Sequence, residues 1–189
     1  MINAELSGIK TLKKFYTEIR KQQEAAHGDD YCEQHDAIQK YLKECESYKE
    51  LGTHQGGTAA AALLMKPKKI ELVDISMEKY RKFAEPIFAK YCNENNIKLS
   101  VLEIDSTSQK SVTGEFDMML IDSYHRRKHM EKELAIHHKK IKKYIVFHDT
   151  NAVKELQECI EDFCKNNTEW NIIEQGKNNV GYTVIKRVK

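Results

Sequence analysis

The stretch YKELGTHQGGTAAAALL, residues 48–64, joins a short apolar run, a glycine-rich turn and an alanine-rich segment. The run ends near Glu50, the turn carries Gly52 and the pair Gly56 and Gly57, and the alanines that follow favour helix. Glycine lets a backbone turn sharply and approach a bound ligand closely. The stretch therefore predicts a strand, a turn and a helix of the kind that binds nucleotide-like ligands.

A second apolar run, residues 70–73, ends in Asp74 one predicted helix further along the chain. In a doubly wound sheet, an acid at this place lies at the carboxyl end of the second strand. It can accept hydrogen bonds from the two hydroxyls of a ribose. Asp74 is therefore the predicted ribose-binding residue.

The spacing of the glycines separates two kinds of nucleotide site. A dinucleotide-binding turn prefers Gly-x-Gly-x-x-Gly, whereas this turn reads Glu50-x-Gly52-x-x-x-Gly56. The pattern resembles the E/D-x-G-x-x-x-G motif of class I S-adenosylmethionine-dependent methyltransferases, whose ligand carries no phosphate. The resemblance implies the fold of that class and S-adenosylmethionine as the cofactor.

Strands and helices alternate through five units after residue 48, which favours a parallel sheet. Pro86 falls inside the helix predicted at residues 76–93 and should kink or split it. The last two strands, residues 171–174 and 180–185, are too close in sequence for a parallel crossover. We predict an α/β fold: a Rossmann-like, doubly wound, mostly parallel seven-stranded sheet with an antiparallel last strand. The other helices are predicted at about residues 4–26, 34–45, 128–141 and 151–164, and the other strands at residues 98–104, 116–121 and 144–147.

The chain of 189 residues is long enough for one domain. We expect a helical cap in residues 1–47, which could cover the substrate cleft, and a catalytic core in residues 48–189. With 31 Lys+Arg and 29 Asp+Glu, the net charge of +2 does not demand a nucleic-acid partner, and none is expected. No apolar run or signal-peptide core predicts a membrane association, and five scattered cysteines fit reduced thiols, so the expected location is the cytoplasm.

An acid lies at or just beyond the end of every one of the five central strands, so these acids should meet at one edge of the sheet. Gly52, Gly56 and Gly57 are expected to hold the methionine part of the cofactor, and Asp74 the ribose. Roles near the cofactor are also expected for Glu50, which would orient the turn or the ammonium group, for Met77 on the adenine face, for Asp105 and Ser106 at the adenine edge, and for the neighbouring Thr53, Gln55, Thr58, Ile75, Ser76, Asp122 and Ser123.

The sequences Asp122-Ser-Tyr-His125 and His148-Asp149-Thr150 follow the fourth and fifth strands. Two carboxylates at adjacent strand ends can bind Mg²⁺ through oxygen. A bound divalent ion lowers the pKa of a substrate hydroxyl. His125 could then accept the proton as a general base. Asp122 and His125 are therefore the predicted catalytic residues, and Asp122, His148 and Asp149 are the predicted metal ligands.

These motifs, with the ELGTHQGG turn, resemble the small metal-dependent sugar and macrolide O-methyltransferases, with which the cephalosporin-hydroxylase-like proteins are grouped. The resemblance implies Mg²⁺, a sugar or similar small hydroxylated acceptor, Asp122 and Asp149 as metal ligands, and His125 as the base. It departs at position 148, where the family tends to have Glu. An imidazole with two carboxylates would also suit Mn²⁺, Fe²⁺ or Zn²⁺.

Other interpretations of the same residues stay open at this point. Asp149 could cap the next helix, His148 could be a packing residue, and His125 could be an exposed residue at a helix start. The other histidines discussed, His54, His129, His137 and His138, are interpreted as surface residues, with His54 near the cofactor.

The function has alternatives too. A catalytically silent cofactor-binding protein of the same fold is one, and a non-haem metal hydroxylase is another. A nucleic-acid methyltransferase is disfavoured because the Asn/Asp-Pro-Pro-Tyr motif is absent. Whether the chain forms a homodimer is left open.

Overall fold

The computed structural model describes residues 5–188 and contains one seven-stranded sheet in the order β3-β2-β1-β4-β5-β7-β6. The strands are β1 (Ser47–Leu51), β2 (Lys69–Asp74), β3 (Lys98–Glu103), β4 (Phe116–Ile121), β5 (Ile141–His148), β6 (Trp170–Gly176) and β7 (Tyr182–Arg187). The helices are α1 (Leu12–His27), α2 (Glu33–Leu42), α3 (Gly57–Leu63), α4 (Glu78–Phe83), α5 (Glu85–Glu94), α6 (Arg127–His137) and α7 (Lys154–Asn166).

Strands β1 to β5 are parallel, and β7 lies antiparallel between β5 and β6. The order reverses direction at β1, which pairs with β2 on one side and with β4 on the other. Ligands of open α/β sheets bind at such a switch point, outside the carboxyl ends of the strands. The predicted fold class, including the antiparallel last strand, is confirmed.

Helices α1 and α2, with the short 3-10 turn Asp29–Cys32 between them, form the cap. The predicted start of the first helix, Ala4, lies outside the described residues. The helix itself begins at Leu12, because Gly8 has a left-handed φ of 75° and the Thr11 side chain caps the first turn. The cap packs onto α3 and α5, where Phe15 meets the ring of Phe88 edge-on at 5.6 Å.

Three predicted helices have different bounds in the structure. Pro86 splits the predicted long helix into α4 and α5 and lies in the first turn of α5, where its missing N–H is not needed. Helix α6 ends at His137, and β5 begins at Ile141, because the segment from Ile141 pairs with Phe116 of β4. Helix α7 begins at Lys154, later than predicted, because residues 149–153 form a turn after β5.

Apolar side chains form one cluster on each face of the sheet. The first contains side chains of the cap and of α3, α4 and α5, and the second contains side chains of α6 and α7. An ion pair is buried beside the clusters: Lys49 Nζ lies 2.6 Å from Glu71 Oε1, and both side chains are no more than 3% exposed. Within residues 5–188, no helix combines the length and the apolar character needed to cross a membrane.

Candidate active site

The glycine turn after β1 lies directly against the backbone that follows β4. Gly52 has a φ of +94°, and a Cβ built on it would lie 2.0 Å from the carbonyl oxygen of Asp122. The N–H of Asp122 also donates to the carbonyl of Leu51 at 2.8 Å. Only glycine fits this conformation and this close approach. The turn and the carboxyl end of β4 therefore form one compact wall of the site.

Asp74 is the last residue of β2, and its carboxylate fixes the same turn. Oδ2 accepts the N–H of His54 at 2.8 Å, and Oδ1 accepts the N–H of Ser76 at 3.1 Å. An ionised carboxylate can accept about four hydrogen bonds. Asp74 therefore has acceptor capacity left for further donors, and its role as the ribose-binding residue stays a prediction.

A cavity of about 430 Å³, which we call the outer cavity, opens beside Asp74. The side chains of Ile75 and Tyr124 at this cavity are 76% and 62% exposed, which makes them the apolar surfaces available to a ligand there. Its volume falls in the range of small-molecule sites. The lining residues are Gly52, His54, Val73, Asp74, Ile75, Asp105, Ser106, Asp122, Ser123, Tyr124 and His129.

A second cavity of about 30 Å³, which we call the inner cavity, lies between the glycine turn and the cap. It shares Gly52, His54 and Asp122 with the outer cavity. Its cap wall consists of Gln23, Tyr31, Gln34 and His35, and its other residues are Thr53, Gln55, Gly57, Thr58 and His148. The cap therefore covers the site as well as packing against the core.

Two carboxylates and two imidazoles meet where β4 and β5 end. His125 Nε2 lies 2.9 Å from Asp149 Oδ2 and 3.3 Å from Asp122 Oδ1. His148 Nδ1 lies 3.2 Å from Asp122 Oδ1 and 3.7 Å from Asp149 Oδ2. Asp149 has a left-handed φ of 59°, an unfavourable conformation for a residue other than glycine and one that is concentrated at functional sites.

The charges of this cluster shift its protonation equilibria. Hydrogen bonds to Asp122 and Asp149 raise the pKa of His125 to about 10. Burial opposes the ionisation of Asp122, but the charges and hydrogen bonds of His148 and His125 outweigh it and hold the pKa of that carboxyl below its ordinary value. The pKa of His148 is raised because the attraction of Asp122 outweighs its burial.

The donor set fits a divalent cation. One ligand atom from each of Asp122, His148 and Asp149 can be chosen so that all lie within 4.8 Å of one another. Carboxylate oxygens and imidazole nitrogens are ligands that Mn²⁺, Fe²⁺ and Zn²⁺ accept, and the carboxylates alone suit Mg²⁺. The structure thus brings together the three side chains that the sequence predicts as metal ligands, with His125 against two of them.

The alternatives for these residues are decided by the geometry. Asp149 does not cap α7, whose N-cap position is Val153. His148 is buried, and its ring meets that of Tyr31 edge-on at 5.8 Å, but its Nδ1 faces the carboxylates. His125 precedes α6 and is about a third exposed, yet it contacts both acids and is not a free surface residue.

Some predicted cofactor residues lie away from both cavities. Met77 is fully buried in the first core cluster, so the expectation that it packs on an adenine face is wrong for its side chain, and Ile75 is the apolar group at the cavity. Glu50 is fully buried beneath the turn, where it accepts a hydrogen bond from Tyr48 Oη at 2.7 Å and where burial raises its pKa well above its ordinary value. A Cβ on Gly56 would face the core at Phe88.

Three histidines that the sequence places on the surface are wholly or partly buried. His129 lies 3.2 Å from Ser106 Oγ and 3.4 Å from the buried Glu133. Both Ser106 and Ser123 donate to that carboxylate at 2.5 Å. His137 and His138 are 1% and 7% exposed and contact main-chain carbonyls. The helical spacing of His129 and Glu133 in α6 was the signal that could have revealed the first of these contacts.

The cap also supplies a buried residue that no motif in the sequence identifies. His35 is 1% exposed, and burial lowers its pKa to about 3. Its Nε2 lies 3.4 Å from Thr58 Oγ1, and its Nδ1 has no hydrogen-bond partner within residues 5–188. The predicted cofactor residue Thr58 is thereby connected to the cap.

No protein-family model and no curated protein matches the chain. Solved structures do match. An O-methyltransferase from Bacillus cereus in complex with SAH aligns with a TM-score of 0.66 at 14% identity, over 96% of this chain and 92% of the other. The O-methyltransferase TomG from Streptomyces achromogenes, in complex with SAM, gives 0.62 at 13% identity over 97% and 92%. The SAH-bound Podospora anserina methyltransferase PaMTH1 gives 0.63 at 15% identity over 82% and 78%. With its strand order and its antiparallel β7, the chain has the class I methyltransferase fold.

Proposed function

We propose that the protein is an S-adenosylmethionine-dependent methyltransferase that methylates a hydroxyl of a small acceptor. The observation that carries the proposal is the contact between Gly52 and Asp122, because it joins a nucleoside-sized cavity to a cluster of acids and imidazoles. Asp74 would bind the ribose, and Ile75 and Tyr124 would contact the adenine. Asp105 and Ser106 would lie at the adenine edge, and Ser123 would lie near the cofactor.

The reaction moves the methyl group from the sulfonium to an acceptor oxygen, so that an S–C bond breaks, an O–C bond forms and the acceptor loses a proton. His125 is the proposed base because it contacts both acids of the cluster and its side chain is 35% exposed. Its hydrogen bonds to the two acids favour the protonated imidazole and raise its pKa. Asp122, His148 and Asp149 would hold a divalent cation, which would supply Lewis acidity toward the acceptor hydroxyl. His125 would accept the proton that this hydroxyl loses. Alignment of the oxygen with the methyl group supplies much of the remaining rate enhancement.

The proposed acceptor is a sugar or another small hydroxylated molecule. The support is the resemblance of the turn and of the Asp122-x-x-His125 motif to metal-dependent sugar and macrolide O-methyltransferases.

Calorimetric titration with S-adenosylmethionine and with S-adenosylhomocysteine tests the cofactor half of the proposal. We expect binding at micromolar concentrations. The absence of heat at high micromolar ligand would refute the proposed function. Asp74→Ala should weaken both ligands strongly, because it removes the acceptor of the ribose hydroxyls, whereas Asp162→Ala, an exposed acid on α7, should leave both affinities unchanged.

His125→Ala tests the assignment of the base. In a screen of sugar and polyhydroxylated acceptors, turnover should fall by a factor of about 100 or more, the usual contribution of a general base. The affinity for S-adenosylhomocysteine should stay within about twofold. Unchanged turnover would exclude His125 as the base.

A separate measurement tests the proposed metal site. Mn²⁺ and Mg²⁺ should raise the thermal midpoint of the wild-type protein because the cation binds the folded chain. Asp149→Asn should remove this effect, since it deletes one of the two charged ligands. Equal stabilisation of both proteins by the ions would show that Asp149 is not a ligand.

A further inference from the structure

We propose that His35 of the cap binds the amino-carboxylate end of the cofactor in the inner cavity, so that the cap is part of the cofactor site. This inference rests on the proposed function, because it assumes that the outer cavity holds the adenosine.

The two cavities together match the two ends of S-adenosylmethionine, the adenosine and the amino acid. The outer cavity of about 430 Å³ carries the exposed apolar side chains and Asp74. The inner cavity of about 30 Å³ lies on the other side of Gly52 and Asp122 and is enclosed by polar side chains. A nucleoside bound in the outer cavity would direct its sulfur substituent past these two residues. The small inner cavity has room for about one compact polar group such as a carboxylate.

His35, Thr53 and His148 line this cavity and each have a buried hydrogen-bonding atom without a partner among the described residues, and His35 is the one that belongs to the cap. Its Nε2 is within 3.4 Å of Thr58 Oγ1, which leaves Nδ1 as the second hydrogen-bonding atom of the ring. Nδ1 is buried and has no partner among the described residues. Buried polar atoms are nearly always paired, and an unpaired one requires an explanation. A carboxylate oxygen of the ligand would pair with Nδ1–H when Thr58 donates to Nε2.

The cap is held in position for this contact. Helix α2 packs on α3, the helix that follows the glycine turn. Gln39 of α2 donates to the carbonyl of Ala61 in α3 at 3.2 Å, and a Cβ on Gly57 would meet Ile19 of α1 at 3.3 Å. His35 therefore faces the turn from a rigid element, which is the condition for a precise contact with a ligand.

Two ligands that differ only in the amino-acid end provide the test. S-adenosylhomocysteine carries this end, and methylthioadenosine lacks it. We expect His35→Ala to weaken S-adenosylhomocysteine by about tenfold or more, since hydrogen bonds to charged groups are strong. The affinity for methylthioadenosine should change by less than about twofold. Calorimetry measures both affinities.

Two further variants separate ligand binding from a loss of cap structure. His35→Asn keeps a polar group near the position of Nδ1 and should recover most of the affinity for S-adenosylhomocysteine. Ile38→Ala lies one turn further along α2, is fully buried and lines neither cavity, so it should affect both ligands equally or not at all. The thermal midpoint of each variant confirms that it is folded.

The outcomes are distinct. A loss confined to S-adenosylhomocysteine in His35→Ala supports the inference. Equal losses for the two ligands, or no loss, overturn it while leaving the proposed function intact. A wild-type protein that binds neither ligand overturns the proposed function and the inference with it.

Discussion

At the scale of single residues, the site depends on one backbone contact more than on any side chain. The α-carbon of Gly52 lies so close to the carbonyl of Asp122 that a Cβ would clash with it. The φ of +94° at Gly52 is also unfavourable for other residues. The glycine turn after β1 and the strand end that carries Asp122 thus share one surface. A side chain at position 52 would have to displace either the turn or the end of β4.

Gly52→Ala should therefore reduce both stability and cofactor binding. We expect a loss of more than about 2 kcal/mol in the free energy of unfolding, because strain and a clash with backbone act together. Urea denaturation measures this loss. Gly114→Ala is the matched control, because a Cβ there would meet only Lys69 Nζ at 3.7 Å. Equal stability of the two variants would show that the turn moves freely.

The sequence predicts single residues well where their role follows from a strand end. The acids Asp74, Asp122 and Asp149 lie at the same edge of the sheet because parallel strands end together. It predicts poorly what depends on three-dimensional packing. Two examples are the burial of His35 and the pairing of Lys49 with Glu71. Both arise between elements that are distant in the sequence, and no local pattern predicts them.

At the scale of elements, the loop at residues 177–181 connects the two halves of the site. Asn179 Nδ2 donates to the carbonyl of His27 in the cap at 2.6 Å. The backbone N–H groups of Asn151 and Ala152, just after Asp149, both donate to the carbonyl of Val180. The β6–β7 hairpin thus holds the cap and the turn after β5 in one arrangement.

Asn179→Gly should loosen the cap without changing the hairpin. Glycine accepts the left-handed φ of 48° at this position, so the main loss is the hydrogen bond to His27. We expect the free energy of unfolding to fall by about 1 kcal/mol. Amide exchange should quicken at the end of α1. In Asn178→Ala, which removes only an exposed contact to Glu33, both quantities should stay close to the wild-type values. Unchanged exchange in Asn179→Gly would mean that other contacts hold the cap.

Local sequence signals set the type of each element more accurately than its ends. Pro86 predicts the break between α4 and α5, because its ring is tolerated only in the first turn of a helix. The late start of α7 could not be predicted, because the turn at residues 149–153 is held by Val180, some distance along the chain. Strand β5 likewise begins three residues earlier than predicted, at Ile141 instead of Tyr144, because Ile141 pairs with Phe116 of β4.

At the scale of the whole molecule, buried neutral histidines make the fold sensitive to acid. His137 is 1% exposed, and burial lowers its pKa from 6.5 to about 4. Between these values the unfolded chain binds a proton at this residue and the folded chain does not. Stability therefore rises with pH in this window and falls as the pH decreases from 6.5 towards 4.

The contribution of His137 at pH 5 should be on the order of 1–2 kcal/mol relative to neutral pH. His137→Gln, which is neutral at every pH in the window, should flatten the curve of thermal midpoint against pH between 6.5 and 4. Some slope should remain, because burial also lowers the pKa of His35. A variant with the wild-type slope would show that His137 does not cause the acid sensitivity.

The alternation of strands and helices predicts the parallel part of the sheet and the antiparallel ending, because every parallel connection requires a crossover and the last connection is too short for one. The order of β6 and β7 within the sheet cannot be predicted in this way. Their antiparallel pairing follows from the loop length. The insertion of β7 beside β5 depends on both faces of β7, because Val184 is buried beside Val146 in the first cluster and Ile185 is buried beside Ile145 in the second. Nothing in the spacing of the chain distinguishes this insertion from an edge position.

The exposed side chains of Ile75 and Tyr124 flank the outer cavity. The inner cavity is covered by the cap, which Asn179 holds by its hydrogen bond to the carbonyl of His27. If the proposed function holds, S-adenosylmethionine would enter with its amino-acid end first, and its purine would be the last part to bind. The product would leave in the reverse order, with the purine released first.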